Sequence, residues 1–232
     1  MHLTPDALLR SSSSTNLEPA ISDRRMKTPR AAAIAGIVFA LLFSTSLLLI
    51  WVSIPENPLG PPAAVIRHLK TISFSLNLLP FAGIAFLWFI AVVRDRLGAL
   101  EDRFFASVFL GSGLLFIASV FNAAIVAGAI IWILGRGTDL TQFGTYALGR
   151  AEIVQAMQIY AMRMAGVFMI TTSTISFQTR LFPRWMALLG YALAMMLLLS
   201  LGTIQWIPLV FPFWVLLISM HILSQNLRGL PE

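Results

Sequence analysis

Arg163 interrupts an otherwise uncharged stretch, Ile153 to Thr179, that is long enough to cross a bilayer. A guanidinium at the centre of a spanning helix costs at least ~2.5 kcal/mol on insertion scales, so such a residue is expected to face a cavity or another helix. At about 100° per residue, Glu152, Gln155, Ile159, Arg163, Gly166, Ile170, Ser173 and Thr174 line up along one side of the stretch, opposite a side of mostly Met and Ala. Asn122, in the preceding apolar stretch, reaches the same depth as Arg163, some 15 to 18 Å at about 1.5 Å per residue. Asn77 lies one turn before Pro80, whose missing donor leaves a carbonyl near Leu76 without its helical partner.

The candidate site is therefore an outward-opening polar pocket of Arg163, Asn122, Asn77 and Glu152, with Gln155 beside it. A fixed positive charge among amides suits an anionic or carbonyl-bearing ligand, such as a lipid headgroup, an organic acid or a quinone, and repels a metal cation. The competing reading is structural: Arg163 extends to the membrane surface, or the amides join helices by hydrogen bonds.

A second cluster, VVRDRLGALEDRFF, carries Arg94, Asp95, Arg96, Glu101, Asp102 and Arg103 between two apolar runs. Arg94 and Arg96 would end one helix, Gly98 would stop it, and Glu101 and Asp102 would begin the next, each charge complementing the helix dipole beside it. The turn is a membrane boundary that could also dock a partner.

Other chemistry lacks its residues. With no cysteine, disulfides, cysteine-ligated zinc and thiol nucleophiles are excluded. His2, His68 and His221 fall in the tail and towards opposite ends of the bundle, so no metal site and no haem or other cofactor is expected. The HExxH, GxSxG, GKS/T and GxGxxG signatures of common enzyme classes are missing. Methionines late in the chain have no periodic pairing with His and read as adaptable packing.

The elements that position these residues follow from composition. The chain is 58% hydrophobic and 11% charged, against about a quarter charged in soluble domains. Lipid is the expected solvent. Residues 1–30 read as a flexible tail, containing SSSST and ending in the basic residues Arg24, Arg25, Lys27 and Arg30. Residues 31–228 read as an all-α domain of six transmembrane helices, with spans at about 31–52, 71–93, 106–134, 153–179, 185–206 and 208–224, near the ~20 residues a bilayer requires. The apolar run from Phe104 to Leu134 has 31 residues and must tilt or protrude. Five tryptophans, Trp51, Trp88, Trp132, Trp185 and Trp206, fall near span ends, where such rings prefer to lie.

Eleven of the sixteen Lys and Arg fall on the side of the tail. Only Arg67, Lys70, Arg136 and Arg150 fall on the other, which places both termini in the cytoplasm. The basic residues form no continuous patch, so anionic lipid headgroups are the expected partner of the tail, and nucleic acid is not. Small residues at helix-packing spacing, among them Ala32, Gly36 and Ala40, then Ser119, Ala123 and Ala127, mark interfaces within the monomer or in a homo-oligomer.

The segments Phe81 to Phe116 (FAGIAFLWFIAVVRDRLGALEDRFFASVFLGSGLLF) and Pro183 to Tyr191 (PRWMALLGY) resemble those of bacterial membrane proteins of about this length, classed as domains of unknown function with six predicted spans. The resemblance covers Arg30 to about Ser224 and implies a bacterial plasma (inner) membrane. It transfers no activity and no site residue. The expected function is that of a non-enzymatic accessory or structural membrane protein that contacts other membrane proteins. The alternatives are a small transporter or binding protein using the Arg163 pocket and, with least support, a membrane-embedded enzyme or cofactor-binding subunit.

Overall fold

Ten helical segments follow one another in the computed structural model, which describes residues 18–54, 63–97, 103–137, 144–179, 183–200 and 206–228. They are α1 (Glu18–Ser53), α2 (Ala63–Arg67), α3 (Leu69–Leu97), α4 (Arg103–Leu134), α5 (Thr145–Val154), a π-helical segment (Gln155–Ala161), α6 (Met162–Thr179), α7 (Arg184–Leu199), a 3-10 turn (Ile207–Leu209) and α8 (Val210–Arg228). No strand occurs among the described residues. A bilayer core offers backbone groups no water, and helices satisfy those groups internally.

Among the described residues, five helices are long and apolar enough to cross a membrane: Ala31–Ser53, Leu69–Arg94, Phe104–Leu134, Thr145–Gln178 and Ile207–Gln225. The fifth expected span is shorter than the sequence suggests. α7 stops at Leu199, sixteen residues after it begins, and Ser200 is extended at φ −63° and ψ 128°. Ser200, Gly202, Thr203 and Ile204 are all weaker helix formers than the leucines before them. At the other end, α1 begins at Glu18 and so includes part of what composition reads as tail, because extending an existing helix adds one hydrogen bond per residue without a new nucleus. The first seventeen residues lie outside the described part, as do Gly98, Glu101 and Asp102. α3 carries Arg94, Asp95 and Arg96 in its last turn, and α4 opens at Arg103.

α1 packs chiefly on α3 and α8, and α6 on α7 and α4. α7 and α8, neighbours in sequence, touch each other little. The core is built from phenylalanine. Phe39 and Phe43 of α1, Phe86 and Phe89 of α3, Phe109 and Phe116 of α4, Phe168 of α6 and Phe211 of α8 are all buried. Phe39 and Phe86 lie 4.6 Å apart between ring centres, Phe116 and Phe211 also 4.6 Å, and Phe109 and Phe168 4.7 Å, within the range of favourable ring pairs. Short polar contacts also join helices. The Ser46 hydroxyl donates to the Ser75 carbonyl at 2.8 Å, and the Thr174 and Tyr191 hydroxyls share a hydrogen bond of 2.7 Å.

The outside of the bundle is apolar at most mid-helix positions, with Leu41, Ile84, Leu115, Ile125, Leu188 and Phe213 all exposed. That is the surface a lipid-embedded protein presents. Trp88, Trp132, Trp185 and Trp206 are exposed as well, whereas Trp214 is buried.

Candidate functional site

The polar residues singled out by the sequence do not converge on one pocket. Arg163, Asn77, Asn122, Glu152 and Gln155 are all on the exposed surface. Asn77 donates to the Ser73 carbonyl of its own helix at 2.9 Å. Asn122 and Glu152 do meet, at a long 3.5 Å between Nδ2 and Oε1. Arg163 has no hydrogen-bond or ion-pair partner among the described residues.

Two features account for this: the polar residues from Glu152 to Arg163 face away from the core, and a π-helical segment shifts the phase along the line. A π-turn closes i→i+5 and holds an extra residue, so the line drawn at a constant angle from Glu152 to Thr174 breaks between Gln155 and Ala161. Before and just after the break, Glu152, Gln155 and Arg163 point outwards. Beyond it, Gly166 and Ser173 are buried against α7.

The cavity lies elsewhere, at the end of the bundle where α1 finishes and α8 begins. It holds about 640 Å³ and is half enclosed by α1, α2, α3, α4, α5, the π segment and the residues that lead into α8, Trp206 and Pro208. That volume falls within the range of small-molecule sites, roughly 300–1,000 Å³. Its walls are mainly aliphatic, including Ile72, Leu76, Val120 and Ile130. Space exists because α4 presents Ala123, Ala124 and Ala127 to it. Ala123 and Ala127 read in the sequence as helix-contact residues. In the fold their missing side-chain volume becomes cavity.

Few polar groups enter this apolar chamber, and they come from one stretch of chain. Tyr146 and Arg150 of α5 are four residues apart, hence on one helix face, and the π segment adds Gln158. Arg150 Nη1 donates loosely to the Tyr146 hydroxyl at 3.5 Å. Arg150 is half-buried, and Tyr146 is buried in a small cluster with Val65, Ile72 and Leu134. Trp51 and Trp206 complete the wall, packed edge to face at 5.0 Å between rings. The sequence did carry a signal for this site: Arg150 is one of only four basic residues on its side, and Tyr146 precedes it by four.

Among the described residues, no carboxylate and no histidine lines the cavity. Among the described residues no group of three His, Asp or Glu is placed to hold a metal ion. His68 is exposed beside α3, and His221 lies far along α8, 3.0 Å from Gln225.

An apolar helical exterior, an aromatic core and one half-enclosed cavity define a multi-pass helical membrane protein. No protein-family model, no curated protein and no solved structure matches the chain.

Proposed function

We propose that the protein is a non-enzymatic, six-span protein of the bacterial plasma membrane that binds an anionic amphiphile, with both termini in the cytoplasm and the cavity open to the outer side. The single observation that carries this reading is Arg150 in a chamber of about 640 Å³ walled largely by aliphatic side chains. Aliphatic walls take up a hydrocarbon chain, and a guanidinium meets a carboxylate or phosphate with two parallel donors. The Gln158 amide and the Tyr146 hydroxyl supply further hydrogen bonds and orient the headgroup. Orientation rests on the uneven distribution of Lys and Arg, and assignment to the bacterial membrane rests on the family resemblance.

The test is titration of the protein in nanodiscs with a brominated long-chain carboxylate, read as quenching of tryptophan emission. Trp51→Phe and Trp206→Phe assign the signal to the cavity. Saturable quenching is expected, weakened roughly tenfold or more by Arg150→Gln, since truncating a buried charged contact commonly costs 2–5 kcal/mol. Equal affinities for Arg150→Gln and the unchanged protein would remove the proposal. The neutral alcohol of the same chain length should bind more weakly, which separates charge recognition from simple partition into the cavity.

A further inference from the structure

We infer that the exposed side of α6 around Arg163 is a docking face for a transmembrane helix of another protein, and that this helix carries a carboxylate at the depth of Arg163. The inference is independent of the cavity, which Arg163 does not line.

Three observations support it. First, Arg163 is deep in the bundle. It lies eighteen residues from Thr145 and sixteen from Thr179 within one long apolar helix, and Phe168, little more than a turn away, belongs to the phenylalanine core. The apolar run begins at Ile153, ten residues before Arg163, so the nearer headgroups are about 15 Å away along the helix, half the thickness of a hydrocarbon core, further than the side chain reaches by snorkelling. Second, Arg163 faces outwards and has no hydrogen-bond or ion-pair partner among the described residues, whereas mid-helix positions exposed elsewhere are mainly aliphatic or aromatic. Third, it is not alone. Gln155 and the Asn122–Glu152 pair are exposed as well, so the exposed positions from Glu152 to Arg163 form a strip richer in polar groups than the rest of the surface.

The charges indicate what covers the strip. A lipid tail offers no counter-charge, and anionic headgroups lie at the membrane surface. A second copy does not supply one either. Copies inserted in the same direction meet at equal depths, so Arg163 would oppose Arg163. Nine of the ten acidic residues lie before Ala31, in connections, in the last turn of α3 or at the C-terminus, and the tenth, Glu152, is eleven residues along the helix. The occupant that fits is a foreign helix with Asp or Glu opposite Arg163. A hydroxyl or amide about 15 Å away along that helix would face Glu152 and Asn122.

The chain lacks cysteine, so a single Leu148→Cys, at an exposed position, accepts one donor dye. The labelled protein is reconstituted in phosphatidylcholine vesicles with acceptor-labelled single-span polyleucine peptides that carry a central Glu, Leu or Lys. Energy transfer should show the Glu peptide bound roughly tenfold or more tighter than the Leu peptide. Arg163→Leu should abolish the preference, Arg163→Lys should retain part of it, and Arg163→Glu should transfer it to the Lys peptide. Circular dichroism and elution volume confirm that each variant is folded, and the Lys variant decides the matter if the Leu variant is not. Equal transfer to Glu and Leu peptides overturns the inference, as does a Glu preference that survives in Arg163→Leu. Disulfide-linked dimers formed by Tyr160→Cys in membranes also overturn it, by giving the face to a second copy.

Discussion

At the scale of single residues, two arginines on one helical stretch have opposite surroundings. Arg150 is half-buried in the wall of a cavity, and Arg163 is exposed at mid-helix. Because the Arg150–Tyr146 contact is a loose 3.5 Å, Tyr146→Phe should weaken carboxylate binding by only about twofold to fivefold, the loss of one modest hydrogen bond. Arg150→Gln should cost several times more, and the same quenching titration compares them. Arg163→Gln should leave cavity binding unchanged while reducing capture of the Glu-bearing peptide. Residue type alone exposed Arg163 as anomalous, because a charge within an apolar run is visible in any hydropathy pattern. The direction in which it points was not legible, since that depends on helix phase, and phase depends on a π-turn that leaves no mark in QAMQIYA.

At the scale of elements, the π segment and the helix-packing glycines decide how helices meet. Removing one residue between Gln155 and Ala161 should convert the segment to regular α-helix, with helical content by circular dichroism unchanged. Binding should fall, because Gln158 and Arg150 no longer share the cavity, and retained affinity would show that the extra residue is idle. Glycines divide by their neighbours. A side chain added at Gly190 would run into the Ser173 hydroxyl and the Trp214 ring, so Gly190→Ala should destabilise by about 1–3 kcal/mol. Gly111 in α4 has nothing nearby, and Gly111→Ala should stabilise by about 0.5–1 kcal/mol through backbone entropy. Thermal unfolding in detergent distinguishes the two signs. Small residues at packing spacing were legible as a class, and Gly36, pressed between Ser219 and Phe89, fits that reading. Ala123 and Ala127 do not, because identical spacing can either admit a neighbouring helix or leave a gap beside it.

At the scale of the whole molecule, stability rests on interlocked phenylalanines, since lipid gives helices no hydrophobic reason to associate. Phe86 is fully buried and pairs with Phe39, Phe89, Phe116, Phe168 and Phe211. Phe86→Ala should therefore cost about 3–5 kcal/mol, read as a lowered midpoint of unfolding. Exposed Phe81→Ala should cost far less. The proposed topology predicts that alkaline phosphatase fused within residues 55–62 is active and fused after Arg228 is inactive. The opposite pattern would invert the assignment of inside and outside, and activity at both sites would overturn the count of six spans.

What the sequence by itself determined is the solvent and the element type. An apolar, nearly uncharged chain must satisfy its backbone internally, and runs of about twenty residues can do so only as helices in lipid. Only the tertiary structure decided the early stop of α7, the phenylalanine core, the cavity around Arg150 and the outward face of Arg163. Hydropathy sums over a segment and is indifferent to order within it. Sites depend on angular phase and on which helices become neighbours, and one extra residue in a π-turn, or α7 packing on α6 and not on α8, rearranges both without changing a single composition value.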